Sequence, residues 1–141
     1  MFSLSLAESN HIVSTAFACA TRLDLKPISV AVLDAGGHLI TFQRQDNASM
    51  LRFEIAFGKA YGALAIGVSS RDIEGMAIAR PHLMQGLSGA SGGKIVPVPG
   101  GVLIRSNGKI VGAVGVTGDT SDNDEACAVA GIESIGPMAR R

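Results

Sequence analysis

Three charged side chains after the first predicted hairpin have the chemistry of an anion site. Arg44 and Asp46 lie in a polar linker, and Lys59 lies in the helix predicted to follow it. A guanidinium and an ammonium that converge on a cleft can hold a carboxylate or a phosphate, with Asp46 orienting Arg44 through a bidentate pair. The alternative is architectural, because such charges also hold a linker against a helix.

Glycines near the last two predicted strands could add backbone donors to such a site. Gly100 and Gly101 precede one strand, whereas Gly115 and Gly118 lie in and after the next one. A helix is predicted to begin at Ser121, and exposed amides near a helix N-terminus bind anions without any side chain. Small residues in a strand also indicate that a helix or a ligand comes close to that face.

Acidic residues at the start of this last helix resemble a metal loop at first sight. Asp119, Asp122 and Asp124 do not have EF-hand spacing. Ser121 or Asp122 can cap the helix, and acidic residues in its first turn suit the helix dipole. We therefore interpret this cluster as a helix cap.

The remaining candidate ligands are histidine, methionine and cysteine side chains. His11 lies on a helix face with polar neighbours and without an evident second ligand, so the residues alone favour a surface histidine over a metal ligand. His38 and His82 are predicted to be exposed, and Met50 and Met84 could serve as axial ligands or fill the core. Cys19 and Cys127 lie in apolar helical patterns and are predicted to be free thiols, and no Ser-His-Asp or Cys-His arrangement can be read from the chain.

The elements that position these residues follow from hydrophobic periodicity and turn chemistry. Asn107-Gly108 supplies the two positive-φ residues of a type I′ hairpin turn. The order is helix, two strands, two helices, three strands and a helix, which predicts an α+β fold. Helices are expected over residues 6–24, 50–66, 69–80 and 121–135, strands over 28–33, 38–43, 102–105 and 109–116, a further strand before Gly101, and an irregular connection over 82–93.

Length and composition set limits on the class of protein. A chain of 141 residues corresponds to one domain, residues 1–141. A formal net charge of +0 argues against a nucleic-acid partner, and no apolar run approaches the ~18 residues of a membrane span. The N-terminus shows no secretory signal, so a cytoplasmic protein is expected. High glycine and alanine content predicts close packing and a homo-oligomer.

Two strings carry a resemblance to a known family. These are VAVLDAGGHLITFQRQDNA (residues 30–48) and GGVLIRSNGKIVGAVGVTGDTSDNDEACAVAG (residues 100–131), with Lys59-Ala60 in the helix between them. Together they resemble the GlcG/HbpS-like family of haem-binding and haem-degrading-type proteins, whose domain also forms the C-terminal part of some corrinoid adenosyltransferases. The resemblance extends from about His11 to Ile135.

The resemblance implies both a fold and a ligand. The fold is profilin-like, with a five-stranded antiparallel sheet covered by helices and assembly into dimers or larger rings. The ligand is haem or a related tetrapyrrole, and His11 is placed like the haem-ligating histidine of some members. The first hypothesis is therefore a haem- or small-ligand-binding protein. The alternative is a cofactor-independent enzyme that binds a small carboxylate or aldehyde through Arg44 and Lys59, in a cleft between the second helix and the Gly112–Gly118 strand.

Overall fold

Nine elements build the domain. The computed structural model describes residues 3–136, and within them the chain forms five helices and four strands. The elements are α1 (Leu6–Arg22), β1 (Ser29–Asp34), β2 (Leu39–Arg44), α2 (Arg52–Ile66), α3 (Ser70–Ala79), α4 (Pro81–Ala90), β3 (Gly101–Ser106), β4 (Lys109–Thr117) and α5 (Ser121–Ser134).

The strands form one antiparallel sheet in the order β2-β1-β4-β3. The β3–β4 hairpin turns at Asn107 and Gly108, whose φ angles of 52° and 78° confirm the predicted pair of positive-φ residues. β1 and β4 are central and nearly fully buried. β2 is an edge strand and is the most exposed of the four.

Helices cover both faces of the sheet, as the predicted α+β class requires. Alternation along the strands sends Val30, Val32, Val114 and Val116 toward α1 and α5. The opposite residues, such as Leu33 and Ala113, pack under α2. The sheet is thus the middle of three layers, and α2 meets it through small residues that include Ala60 and Ala63.

The prediction of a fifth strand is wrong. The segment before β3 runs along α2 instead, where the amide of Val96 donates to the carbonyl oxygen of Gly58 at 3.2 Å. Pro97 and Pro99 have no N–H group to donate to a strand ladder, which explains why pairing does not extend through this segment.

Two local expectations also need correction. Residues 82–93 were expected to be irregular, yet most of them form α4, which begins with Pro81 at its first turn. The helix predicted from residue 50 begins at Arg52 instead, and no side chain caps it. The next helix, α3, begins at Ser70, within one residue of its predicted start, and the Ser69 hydroxyl caps it by accepting from the amide of Asp72 at 3.3 Å.

Candidate functional site

Lys59 lies on the buried face of α2, where the helix packs on β4. Its side chain is only 1% exposed. The ammonium Nζ donates to the carbonyl oxygen of Val116 at 2.9 Å and to Oδ2 of Asp124 at 3.2 Å. One side chain of α2 thereby joins the end of β4 to the first turn of α5.

Asp124 completes this buried ion pair from the other side. Its side chain is 2% exposed, and its Oδ1 accepts from the amide of Asp119 at 3.0 Å. The carboxylate does not cap α5, and the predicted cap, Ser121 or Asp122, is also wrong. The cap is Thr120, whose hydroxyl accepts from the amide of Asn123. A lysine on an otherwise apolar helix face was the available signal that such a partner must exist.

Burial and pairing act on this pair in opposite directions. Burial lowers the pKa of Lys59, and the charge and hydrogen bond of Asp124 oppose that shift. Burial raises the pKa of Asp124, and Lys59 opposes that shift in turn. Since each group holds the other in its charged form, removal of either one leaves the other buried and unpaired.

Two of the candidate glycines enclose the lysine. A Cβ at Gly100 would lie 2.9 Å from Nζ of Lys59, and a Cβ at Gly101 would collide with the Lys59 carbonyl group. The amide of Gly101 already donates to the hydroxyl of Ser70 at 2.7 Å. These glycines make room for α2, and the Gly101 amide is used within the fold.

The other two candidate glycines also mark close backbone approach. A Cβ at Gly115 would collide with the carbonyl oxygen of Ala56 on α2, and one at Gly118 would collide with that of Pro27. The expected cleft between α2 and the Gly112–Gly118 strand is therefore closed at Gly115. The small residues of this strand were predicted to face either a helix or a ligand. At Gly115 they face a helix, α2.

Arg52 at the start of α2 adds a cation near the same end of the sheet. Its guanidinium donates to the hydroxyl of Thr117 at 2.8 Å. Ser29 is paired with Thr117 in the register of β1 and β4, and its fully buried hydroxyl has no hydrogen-bond partner among residues 3–136. Arg52 and Ser29 were not identified from the sequence, because nothing local to either residue indicates a contact with Thr117.

Arg44 and Asp46 are exposed and lie apart from Lys59. Both line an open groove of about 520 Å³ whose wall includes Phe17 and Leu25. Among the ion pairs found within residues 3–136, none joins Arg44 to Asp46. The structure thus separates an accessible Arg44 groove from an enclosed Lys59, and does not bring the two cations to one anion.

His11 lies on the exposed face of α1, as its polar neighbours indicate. Met50, at 89% exposure, precedes α2. Within residues 3–136, no cluster of three or more His, Cys, Asp or Glu side chains could hold a metal ion.

The two cysteines are free and buried, as predicted. Burial, with a further contribution from neighbouring Cys19, raises the pKa of Cys127 to about 12. Because the thiolate is the reactive form, Cys127 is a core residue and not a nucleophile at neutral pH.

Fold and site together define the class of protein. It is a small α+β domain with a charged pair sealed inside the core and an exposed histidine outside. A family model described as "Haem degrading protein HbpS-like" matches residues 4–133, and the chain belongs to this HbpS-like family. The family resemblance drawn from the two sequence strings is thereby confirmed.

Similar proteins agree with this assignment. The "Uncharacterized 15.0 kDa protein in dhaT-dhaS intergenic region" of Citrobacter freundii is 29% identical, over 96% of this chain and 94% of that protein. The corrinoid adenosyltransferase PduO of Citrobacter freundii is 26% identical over 94% of this chain. The match covers only 39% of PduO, so this chain spans about two fifths of that protein's length.

Solved structures show the same fold. The crystal structure of a PduOC–haem complex superimposes with a TM-score of 0.86 at 25% identity, covering 96% of each chain. The crystal structure of HbpS gives a TM-score of 0.83 at 24% identity, covering 96% of this chain and 92% of that one.

No helix within residues 3–136 is long and apolar enough to cross a membrane.

Proposed function

We propose that this protein binds haem or a similar tetrapyrrole and that His11 is the axial ligand of the iron. The observation that carries the proposal is membership of the HbpS-like family together with the likeness to a structure that contains haem. Bound haem would supply a redox-active, Lewis-acidic iron.

The surface around His11 suits a flat ligand. One turn before His11 stands Ala7, and one and two turns after it stand Ser14, Thr15 and Ala18. None of these side chains is long enough to hold a macrocycle away from the imidazole. Arg22 lies three turns beyond His11 on the same side of α1, where a guanidinium could pair with a haem propionate. His11 would therefore hold the iron, and Arg22 a propionate.

The two free thiols also bear on the cellular location. Buried cysteines that remain reduced are typical of a reducing compartment. We therefore extend the proposal to a cytoplasmic, haem-binding protein. The alternative of an enzyme that holds a carboxylate between Arg44 and Lys59 gains no support from the structure, because Lys59 is sealed against Val116 and Asp124.

Haem titration tests the role of His11 directly. We expect the wild-type protein to give a Soret band that saturates at a fixed haem-to-protein ratio, and His11→Ala to lose or shift it. His82→Ala is the matched control, since His82 is an exposed histidine on α4. Equal spectra for wild type and His11→Ala, with both proteins folded by circular dichroism, would remove His11 as the ligand.

A further inference from the structure

A second concave site lies at the opposite end of the sheet from Lys59. Both β-hairpins turn at this end, and between them is a pocket of about 520 Å³. We call it the hairpin pocket. Its apolar lining includes Leu4, Ile40, Ile110 and Val111, and its polar rim includes His38 and Lys109. Its volume is within the range of small-molecule sites, which is about 300–1,000 Å³.

Two β-bulges shape the floor of the hairpin pocket. The register of β1 and β2 steps from Val32↔Thr41 to Leu33↔Leu39, which leaves Ile40 as an extra residue. The register of β3 and β4 steps from Ile104↔Gly112 to Arg105↔Ile110, which leaves Val111 extra. Bulges redirect side chains and occur often beside functional sites. Here two separate bulges each contribute their extra residue to one pocket.

The segment before α1 closes one side of the pocket. Leu4 packs over β4 at Gly112, where an added Cβ would lie 3.2 Å from Cδ2 of the leucine. Gly112 therefore gives Leu4 the space to reach the sheet. The result is a preformed apolar wall next to the two bulges.

The rim holds an oriented imidazole. Oδ1 of Asp34 accepts from the amides of Gly36 and His38 at 2.9 and 3.0 Å, and lies 3.3 Å from Nδ1 of His38. Because a carboxylate can only accept, this contact favours the tautomer with the proton on Nδ1, which leaves Nε2 as the acceptor when the ring carries one proton. The turn thus places a ring nitrogen that can accept a hydrogen bond at the rim of the pocket.

Lys109 supplies the cation of the rim. It is exposed at the first position of β4, and it makes no ion pair with any residue in the range 3–136. Asp34 is the opposing charge, but its Oδ1 is already engaged by the turn. An anionic group on a ligand would therefore be drawn to the Lys109 side of the rim.

We propose that the hairpin pocket binds a small amphipathic carboxylate that also bears a hydroxyl group. Its apolar body lies on Leu4, Ile40 and Val111, its carboxylate pairs with Lys109, and its hydroxyl donates to Nε2 of His38. This site is separate from the proposed haem surface on α1 and does not depend on it.

Titration with 4-hydroxyphenylacetate, followed by amide chemical shifts in a protein free of haem, tests the proposal. We expect the largest shifts at Gly36, His38 and Ile110. Lys109→Glu should weaken binding by about tenfold or more, because it replaces attraction with repulsion. Lys94→Glu is the matched control, being an exposed lysine outside the pocket, and should bind as wild type.

Two further arms separate the apolar and hydroxyl contacts. Ala35 is exposed and lines the pocket, so Ala35→Trp should abolish binding by filling it. Phenylacetate lacks the hydroxyl and should bind the wild-type protein several-fold more weakly than 4-hydroxyphenylacetate does. In His38→Phe, the two ligands should bind with equal affinity. Wild-type affinity in Ala35→Trp, or shifts confined to other surfaces, would overturn the inference. So would loss of the Soret band in His38→Phe, since haem itself would then occupy this pocket.

Discussion

Lys59 is the largest of the fully buried side chains, and it is charged. Taking an ammonium and a carboxylate out of water costs several kcal/mol for each ion, and their attraction offsets this only when the remaining hydrogen bonds are also made. The carbonyl oxygen of Val116 and the amide of Asp119 make those bonds. The pair therefore acts as a specific connection between α2, β4 and α5.

Removing one member of this pair leaves the other without its counter-ion, so the losses from the two single variants should not add. We expect Lys59→Met to lower the free energy of unfolding by about 3–5 kcal/mol, because it leaves Asp124 buried without its counter-ion. Lys59→Met combined with Asp124→Leu should lose less than the sum of the two single variants. Urea denaturation measures both, with exposed Lys26→Met as the control. Additive losses would show that the two charges do not act together.

Asp119 should control part of the stability in acid. A hydrogen bond from the side chain of Asn123, then bonds from the amides of Lys26 and Thr120, lower the pKa of this carboxyl from 3.8 to about 2. A carboxyl with a lowered folded-state pKa stabilises the fold fully above its unfolded-state pKa, and that contribution is lost as the pH falls from about 4 toward 2.

The measurement is the unfolding midpoint as a function of pH. Asp119→Asn should lower stability at neutral pH and should flatten the decline between about pH 4 and 2. Asp46→Asn, on an exposed carboxylate in the Arg44 groove, should leave that decline as steep as in wild type. An unchanged slope in Asp119→Asn would assign the acid sensitivity to other groups.

At the scale of elements, α2 and β4 meet without any intervening side chain at Gly115. Gly115→Ala places a methyl group against the carbonyl oxygen of Ala56, so the helix must move away from the sheet. We expect a loss of about 1–3 kcal/mol in unfolding free energy, as for other overpacked cores. Gly86→Ala is the control, since a Cβ there meets nothing within 4 Å. That variant, in α4, should be neutral or stabilised.

Elements that depend on local residues could be predicted from the sequence, whereas elements that depend on packing could not. The turn at Asn107-Gly108 was identified because a turn of this type depends on these two residues themselves. The segment before β3 was misread because a run of apolar residues favours a strand, while its prolines exclude pairing. The α4 helix was missed because Gly86 and neighbouring small residues weaken its local signal.

The candidate site was harder to predict than the fold. Lys59 and Asp124 were each noticed, but they lie 65 residues apart and their pairing depends on how α5 packs beside β4. The same applies to Arg52 and Thr117, also 65 residues apart. Residue type predicted that a buried lysine needs a partner, yet only the packing of three elements selects which one. Family resemblance supplied the haem hypothesis, which no local pattern contains.

At the scale of the whole molecule, one edge of the sheet is left open. β2 is an edge strand with exposed residues at both ends, and several large apolar side chains stand exposed beside it: Leu39, Met50, Leu51 and Phe53. Phe53 packs edge-on against Phe42 of β2, which links the start of α2 to this edge. An unpaired edge with an apolar margin is a surface that a second strand can extend.

A second copy of the chain is the partner we expect at this edge. An antiparallel edge can pair with itself across a two-fold axis, so one patch serves both subunits. Light scattering after gel filtration should give a mass that is a multiple of the 14.4 kDa chain. Met50→Glu with Leu51→Glu should shift it toward the monomer, because four like charges would face one another in a dimer. Ile78→Glu, at an equally exposed apolar position on α3 (75%), should leave the mass unchanged. A monomeric wild type, or an assembly sensitive only to Ile78→Glu, would place the association elsewhere or exclude it.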